Sequence, residues 1–176
     1  MIKLKLRPGT LPAGMSFGHP ASLVASFGGV GFAPIAAGTW GSLAALPCAW
    51  LIQHWTGWIG LAVAALAIAA LGVWASEEIV RRGEVRDPGF IVVDEVAGQF
   101  LALLFAPAGG AEWVAAFLLF RAADIVKPFP ANWCDRNLHG GLGVMLDDIV
   151  AGAYAGVAVW LLAQFGVLAH VERILG

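Results

Sequence analysis

DDIVAGAYAGVAVWLLAQFGVLA (Asp147–Ala169) sets two carboxylates directly against an unbroken run, Ile149–Ala169, without a single charge. A membrane-crossing helix needs roughly 20 consecutive, mostly apolar residues. The stretch therefore reads as a span whose entrance is marked by acid. The rest of the chain has the same character. Its 176 residues are 60% hydrophobic and only 12% charged, with a mean hydropathy of +0.81. Globular domains carry about a quarter charged residues. Length predicts one domain over residues 1–176, and composition predicts an all-α, polytopic membrane helical bundle. The net charge of −2 decides little. No basic patch or zinc-finger spacing is present, so no nucleic-acid partner is expected.

Four more apolar stretches precede this one: Trp40–Trp55, interrupted by Pro47; Trp58–Ala75; Phe90–Ala106, stopped by Pro107; and Trp113–Val126, stopped by Lys127-Pro128. The expectation is about five transmembrane or membrane-embedded helices. The third approaches span length only by including Asp94 and Glu95, and the fourth only by including Arg121 and Asp124. Either these charges lie at membrane depth, or the segments are short helices buried by their neighbours. Alanine and glycine across Ala62–Gly72 and Ala151–Gly156 favour close helix–helix approach. The glycine-rich segment His19–Ser42 reads as a short interfacial helix and a tight loop into the first span. MIKLKLRPGTLPAG (Met1–Gly14) is basic with no apolar run behind it, which does not fit a cleavable signal peptide. Cys48 and Cys134 form no disulfide framework.

Lysine and arginine set the topology. They occur at Lys3, Lys5 and Arg7, at Arg81, Arg82 and Arg86, and at Lys127 and Arg136, whereas the alternate loops QHWTG (Gln53–Gly57) and APAGGAE (Ala106–Glu112) have none. The positive-inside rule places all three basic regions in the cytoplasm. Trp55, Trp58 and Trp113 then form an outer aromatic belt. Five spans would leave the C-terminus outside, with only Glu172 and Arg173 as a contrary signal. Every charged motif falls on one face.

Those motifs are VVDE (Val92–Glu95), FRAADIVKPFP (Phe120–Pro130) and DRNLHGGLGVMLDDIVAG (Asp135–Gly152). Asp94 would cap the third helix, and one of Asp147 and Asp148 the fifth. Five carboxylates on one face (Asp94, Glu95, Asp124, Asp147 and Asp148) exceed what caps require. Hard divalent ions such as Mg2+ bind through a few carboxylates plus substrate phosphate, so these five are the candidate metal ligands and catalytic residues. Glu95 and Gln99, four apart, share a helix face, as do Arg121 and Asp124, three apart. Arg121, Lys127 and Arg136 suit a phosphate, arginine as a fork and lysine as a point charge. GTWGS (Gly38–Ser42) opens the first helix, where backbone N–H groups and the Thr39 and Ser42 hydroxyls can hold phosphate oxygens; a plain capped helix start fits equally well. In HGGLG (His139–Gly143) glycine lets a backbone approach closely, and His139 either donates a proton or bonds the loop.

Several phosphatase chemistries are absent. No Cys-x5-Arg loop follows Cys134, because Gly140 stands where the arginine belongs. There is no Asp-x-Asp of haloacid dehalogenases, no Lys…Arg-Pro, Ser-Gly-His, Arg…His set of type 2 phosphatidic acid phosphatases, no G-x-S-x-G elbow and no Walker lysine.

The three charged motifs, in this order and spacing, resemble phosphatidylglycerophosphatase A over about Ala25–Gly156, with GTWGSL (Gly38–Leu43) adding support. One departure is Ala37, where that pattern has proline before GT. The resemblance implies a Mg2+-dependent lipid phosphatase in the bacterial inner membrane. Such an enzyme converts phosphatidylglycerophosphate to phosphatidylglycerol and phosphate, part of phospholipid biosynthesis, with its site facing the cytoplasm. Thr39, Ser42, Arg121, Lys127, Arg136 and Asn137 would bind the substrate. The nucleophile would be water or a carboxylate forming an acyl-phosphate. Two other readings are weaker. A CDP-alcohol phosphotransferase needs a carboxylate four residues after Asp147, where Ala151 sits. An ion-coupled permease would show a second half related to the first, and none is visible.

Overall fold

The computed structural model describes residues 10–83, 88–106, 110–168, 170 and 173. Lys3, Lys5, Arg7, Arg86, Pro107, Ala169 and Glu172, which entered the topology and span readings, lie outside them. The described residues form helices and turns, with no strand among them. The chain begins with α1 (Pro20–Ala25), capped by His19, whose Nδ1 accepts from the Ala21 amide at 3.2 Å. A 3-10 turn (Val30–Phe32) leads to α2 (Ala37–Arg82). This is the expected short helix and tight loop. Ala37 is the first helical residue of α2, a position where proline is also at home.

A straight helix of α2's length would put Gly38 and Gly72 about 50 Å apart at 1.5 Å per residue. Yet Gly38 packs on Glu95, Gly41 on Val92 and Gly72 on Val93. The helix is therefore doubled back on itself. The fold-back is at Gly57, whose φ of 69° is open to glycine and costly for other residues. The two arms match the first two apolar stretches, and Trp55 and Trp58 stand exposed at the tip.

After α2 the chain forms α3 (Val93–Leu103), α4 (Gly110–Val126), α5 (Ala131–Asn137) and α6 (Gly140–Gln164). Of α3's eleven residues only Leu101 is not buried. The α2 arms, α4 and α6 surround it; Val96, Phe100, Ala102 and Leu103 join one core with Ala45, Leu61, Trp113, Phe120 and Val159, while Val93 and Ala97 join a second with Ala75, Ile79 and Met145. Two helices, α2 and α6, are long and apolar enough to cross a membrane. Leu51, Val63, Leu66, Leu118, Val157 and Trp160 stay exposed on the outer faces, as expected of a surface that meets lipid rather than water. The fold is that of a helical membrane bundle.

Three expectations change. The span count is lower than five, because α3 and α4 at 11 and 17 residues fall short of a comfortable crossing. Of the two possibilities for their charges, burial by neighbouring helices is the one realised for α3. Trp113 lies in the core, 8% exposed, and not in an outer belt. Neither set of carboxylates caps its helix. The N-cap of α3 is Val92, with Asp94 and Glu95 in the first turn, while α6 starts at Gly140 and carries Asp147 and Asp148 well inside it. The HGGLG glycines extend the helix N-terminally because they let it lie close on α2; a Cβ on Gly141 would overlap the Val73 carbonyl.

The α3–α6 crossing, which sets Asp94 and Glu95 beside Asp148, is backbone against backbone. A Cβ on Gly152 would overlap the carbonyl oxygen of Gly98, and one on Gly98 would press on the Asp148 carbonyl and the Phe120 ring. Overpacking at such a place costs about 1–3 kcal/mol. Gly152→Ala should lower the unfolding temperature in detergent micelles, whereas Ala153→Gly, on the neighbouring half-buried position, should change it far less. Equal melting of Gly152→Ala and the wild type would remove the crossing as a constraint.

Candidate active site

The charged ends of the helices meet at one end of the bundle. The first arm of α2 starts there and the second returns there; α3 starts, α4 ends and α6 starts there as well. Asp94, Glu95 and Asp148 each place a carboxylate oxygen within 4.8 Å of the others. All three are buried, at 5%, 4% and 3% exposure. Glu95 Oε2 has no hydrogen-bond partner, and neither has Gln99, one turn further along α3, at either amide atom. Buried polar groups are nearly always paired, so an unpaired set marks a place for a ligand or ordered water. Backbone at Gly38, the amino end of α2, lies against the Glu95 carboxylate, where the helix dipole favours negative charge.

The other two carboxylates are held by cations. Arg121 Nη1 pairs with Asp124 Oδ2 at 2.7 Å, both largely buried, and also donates to Ser42 Oγ at 3.3 Å. Ser42 Oγ donates in turn to the Gly38 carbonyl at 3.0 Å. Ser42 thus ties the start of α2 to α4. Thr39 is half-buried, and the amides of Thr39 and Trp40 both go to the Ala36 carbonyl. GTWGS is accordingly a braced helix start, and those two amides do not form an open phosphate cradle.

Lys127 bridges Asp147 and, at 2.9 Å, Asp135. Its backbone has φ 49°, uncommon for a residue with a side chain. With Pro128 behind it, this ends α4 and turns the Nζ back towards α6. Burial disfavours the ammonium, but the Asp147 charge and the hydrogen bonds that Lys127 donates to Asp147 and Asp135 outweigh it and raise its pKa above the ordinary lysine value. Lys127 therefore stays charged. Asp147 Oδ1 is buried and unpaired. Arg136, Asn137 and His139 lie on the exposed rim around α5. Asn137 donates to the Trp133 carbonyl at 2.8 Å, and His139 Nδ1 lies 3.0 Å from the Asn137 carbonyl.

The five carboxylates thus separate into a cluster of three and two paired with cations. Sequence reasoning gave no role to Asp135 or Glu77. Asp135 stood inside the DRN motif, and its partner Lys127 is eight residues away across a proline turn. Glu77 Oε2 accepts from the Gly141 amide at 2.7 Å and so anchors the start of α6 on α2; no local spacing signals that contact.

This arrangement, buried acid beside fixed cations at the mouth of an apolar bundle, accompanies a clear relationship. A family profile described as Phosphatidylglycerophosphatase A matches residues 23–163. The chain belongs to that family. It is an enzyme, a phosphatase acting on phosphoric monoesters. Among its relatives, Phosphatidylglycerophosphatase A of Escherichia coli K12 is 38% identical over 84% of this chain and 86% of its own length. The protein of the same name from Haemophilus influenzae is 36% identical over 81% of this chain and 88% of its own. A Putative phosphatidylinositol-3-phosphatase of Bacteroides thetaiotaomicron is 38% identical over 76% of this chain and 90% of its own. No solved structure matches.

The Lys127–Asp147 contact is testable through stability. Removing one partner of a buried pair strands the other, whereas replacing both with apolar groups can be nearly neutral. Lys127→Met should destabilise the folded protein by about 2 kcal/mol, below the roughly 3–5 of fully buried pairs, because its side chain is 30% exposed. Lys127→Met/Asp147→Leu should recover most of that loss in denaturant unfolding. A double variant less stable than Lys127→Met would mean that Asp147 is supported by something else.

Proposed function

We propose that this chain hydrolyses the phosphomonoester of phosphatidylglycerophosphate, giving phosphatidylglycerol and phosphate. In this reading it is a multi-pass protein of the bacterial inner membrane whose site faces the cytoplasm. The single observation that carries the proposal is the buried Asp94–Glu95–Asp148 cluster, set next to the fixed cations Arg121 and Lys127 in a bundle with apolar outer faces. Family membership and the names of two relatives support the substrate. The basic residues Arg81, Arg82, Lys127 and Arg136 support a cytoplasmic face.

The three clustered carboxylates fit a hard divalent ion such as Mg2+. They offer only oxygen donors, and Glu95 Oε2 is buried without a protein partner. Asp94, Glu95 and Asp148 would hold the ion, and Asp147, the residue before Asp148 on α6, and Asp124 on α4 would take part when substrate loosens their ion pairs. When bound, the ion supplies a Lewis acid that offsets the charge of the phosphoryl oxygens. Stabilising that charge is the main task in phosphoryl transfer.

The protein's own groups do the rest. Arg121 and Lys127 take non-bridging oxygens as the phosphate arrives, and Arg136, on the exposed rim, guides the dianion in. Asn137 and Ser42 brace the two sides of the entrance, and Thr39, half-buried in the first turn of α2, would add a hydroxyl to it. Water attacks phosphorus, the bond to the glycerol oxygen breaks, and that oxygen takes up a proton. In this reading His139, on the exposed rim with Nδ1 3.0 Å from the Asn137 carbonyl, would carry that proton from the attacking water. The products are the lipid alcohol and inorganic phosphate.

Because one relative carries a phosphoinositide name, substrate choice needs a direct comparison. Purified protein should release phosphate from phosphatidylglycerophosphate faster than from phosphatidic acid or phosphatidylinositol 3-phosphate, and chelation by EDTA should stop it. Asp148→Asn should reduce the rate by at least about a hundredfold, as for loss of a group that supports transition-state charge, with unfolding unchanged or raised in temperature. Wild-type turnover in Asp148→Asn, or activity indifferent to EDTA, would overturn the metal assignment. Preference for another lipid would replace the substrate.

A further inference from the structure

A groove runs between α4 and α6 with a cavity of about 320 Å3. Its walls are Leu119, Ala123 and Val126 on one side and Ala155 and Ala158 on the other, and Pro128 closes one end. Leu119 to Val126 spans two turns, roughly 10 Å along the helix. We propose that this groove receives one acyl chain of the lipid whose phosphate the site hydrolyses. The inference rests on the lipid-phosphatase reading and adds to it where the hydrophobic half of the substrate lies.

Continuity with the site is the first argument. Val126 and Pro128 line the groove, and the residue between them is Lys127, whose Nζ bridges Asp147 and Asp135. Apolar wall passes into cationic centre within a single residue. A lipid with its phosphate at Lys127 has its glycerol at this turn and a chain leading away along α4. Tyr154 supplies the second argument. Its ring lines the groove, while its hydroxyl donates to the Phe129 carbonyl at 2.7 Å. That bond holds the Pro128–Pro130 turn over the end of the groove, at the junction of headgroup and chain.

Charge separates this groove from its rival. A second one, about 260 Å3, is lined by Ala62, Leu66, Ala97, Leu101 and Ile149. Ile149 and Ala158 are nine residues apart on α6, two and a half turns, and so on opposite sides of that helix. Near its end the second groove meets Asp148 next to Ile149, and none of its lining residues has a cation beside it in sequence. A headgroup leaving that groove would have no lysine or arginine flanking the junction of chain and phosphate, as Lys127 does in the first. The two chains of one lipid cannot straddle α6, which is about 10 Å across, so the second chain stays in the bilayer.

The test uses full-length protein in mixed micelles with two forms of phosphatidylglycerophosphate, one with two oleoyl chains and one with two hexanoyl chains. Ala122→Leu and Ala158→Leu narrow the groove from its open side. Each should raise KM for the dioleoyl substrate about tenfold, as for loss of roughly two buried methylenes, with kcat and the dihexanoyl KM held. Ala62→Leu, in the second groove, should leave both KM values within about twofold of wild type. Equal effects on both substrates, no effect on either, or the same effect from Ala62→Leu would overturn the proposal. Wild-type protein that releases phosphate from neither substrate would instead sink the phosphatase reading. A second measurement needs no turnover and no variant: a non-hydrolysable phosphonate analogue with a diazirine in one acyl chain is photolysed on the wild type. Labelling within Leu119–Pro128 or Tyr154–Ala158 supports the groove; labelling confined to Ala62–Ala69 and Ala97–Leu104 overturns it.

Discussion

Three carboxylates within 4.8 Å of one another, all buried in an apolar bundle, repel strongly, because the low-dielectric surroundings screen them poorly. Much of the architecture follows from holding them together. α3 brings Asp94 and Glu95 in its first turn, and α6 brings Asp148 from its interior. The helices reach that separation only because Gly98 and Gly152 let their backbones touch. The amino end of α2 lies against Glu95 and offsets part of the charge.

The remaining two acids lie close to the cluster, and each has a cation of its own. Arg121 pairs with Asp124 on α4, and Lys127 pairs with Asp147 on α6. In the proposed mechanism each pair would exchange partners, the phosphate taking the cation and leaving the carboxylate free for a metal ion. The same residues would then serve as structural ion pairs in the absence of substrate and as a divided binding site in its presence. Ser42 connects the Arg121 side to the start of α2, and Asp135 and Tyr154 steady the Lys127 turn from two directions.

Much of this was legible before any coordinates. The apolar runs located the helical arms on both sides of Gly57, and the order and spacing of the charged motifs located the family. What the sequence did not reveal was register. The Asp147-Asp148 pair looked like a helix cap because apolar residues begin at Ile149. The helix in fact starts at Gly140, where glycines suit close packing on α2 more than they disfavour a helix. Five acids on one face looked like one cluster, since sequence places residues on a face but not opposite particular cations. Trp113 looked like an interfacial anchor and proved to be core, because the neighbouring helices cover it.

α3 is eleven residues long, begins with two acids and is covered on nearly every side. It is too short and too acidic to partition into a bilayer by itself. Its entry must therefore follow the elements that enclose it, and α6 is made after it. For as long as α6 is still being synthesised, Asp94 and Glu95 have no finished pocket. Assembly of the acidic cluster is thereby coupled to completion of α6, so a chain cut before α6 would lack not only Asp148 but also a stable seat for the acids that precede it.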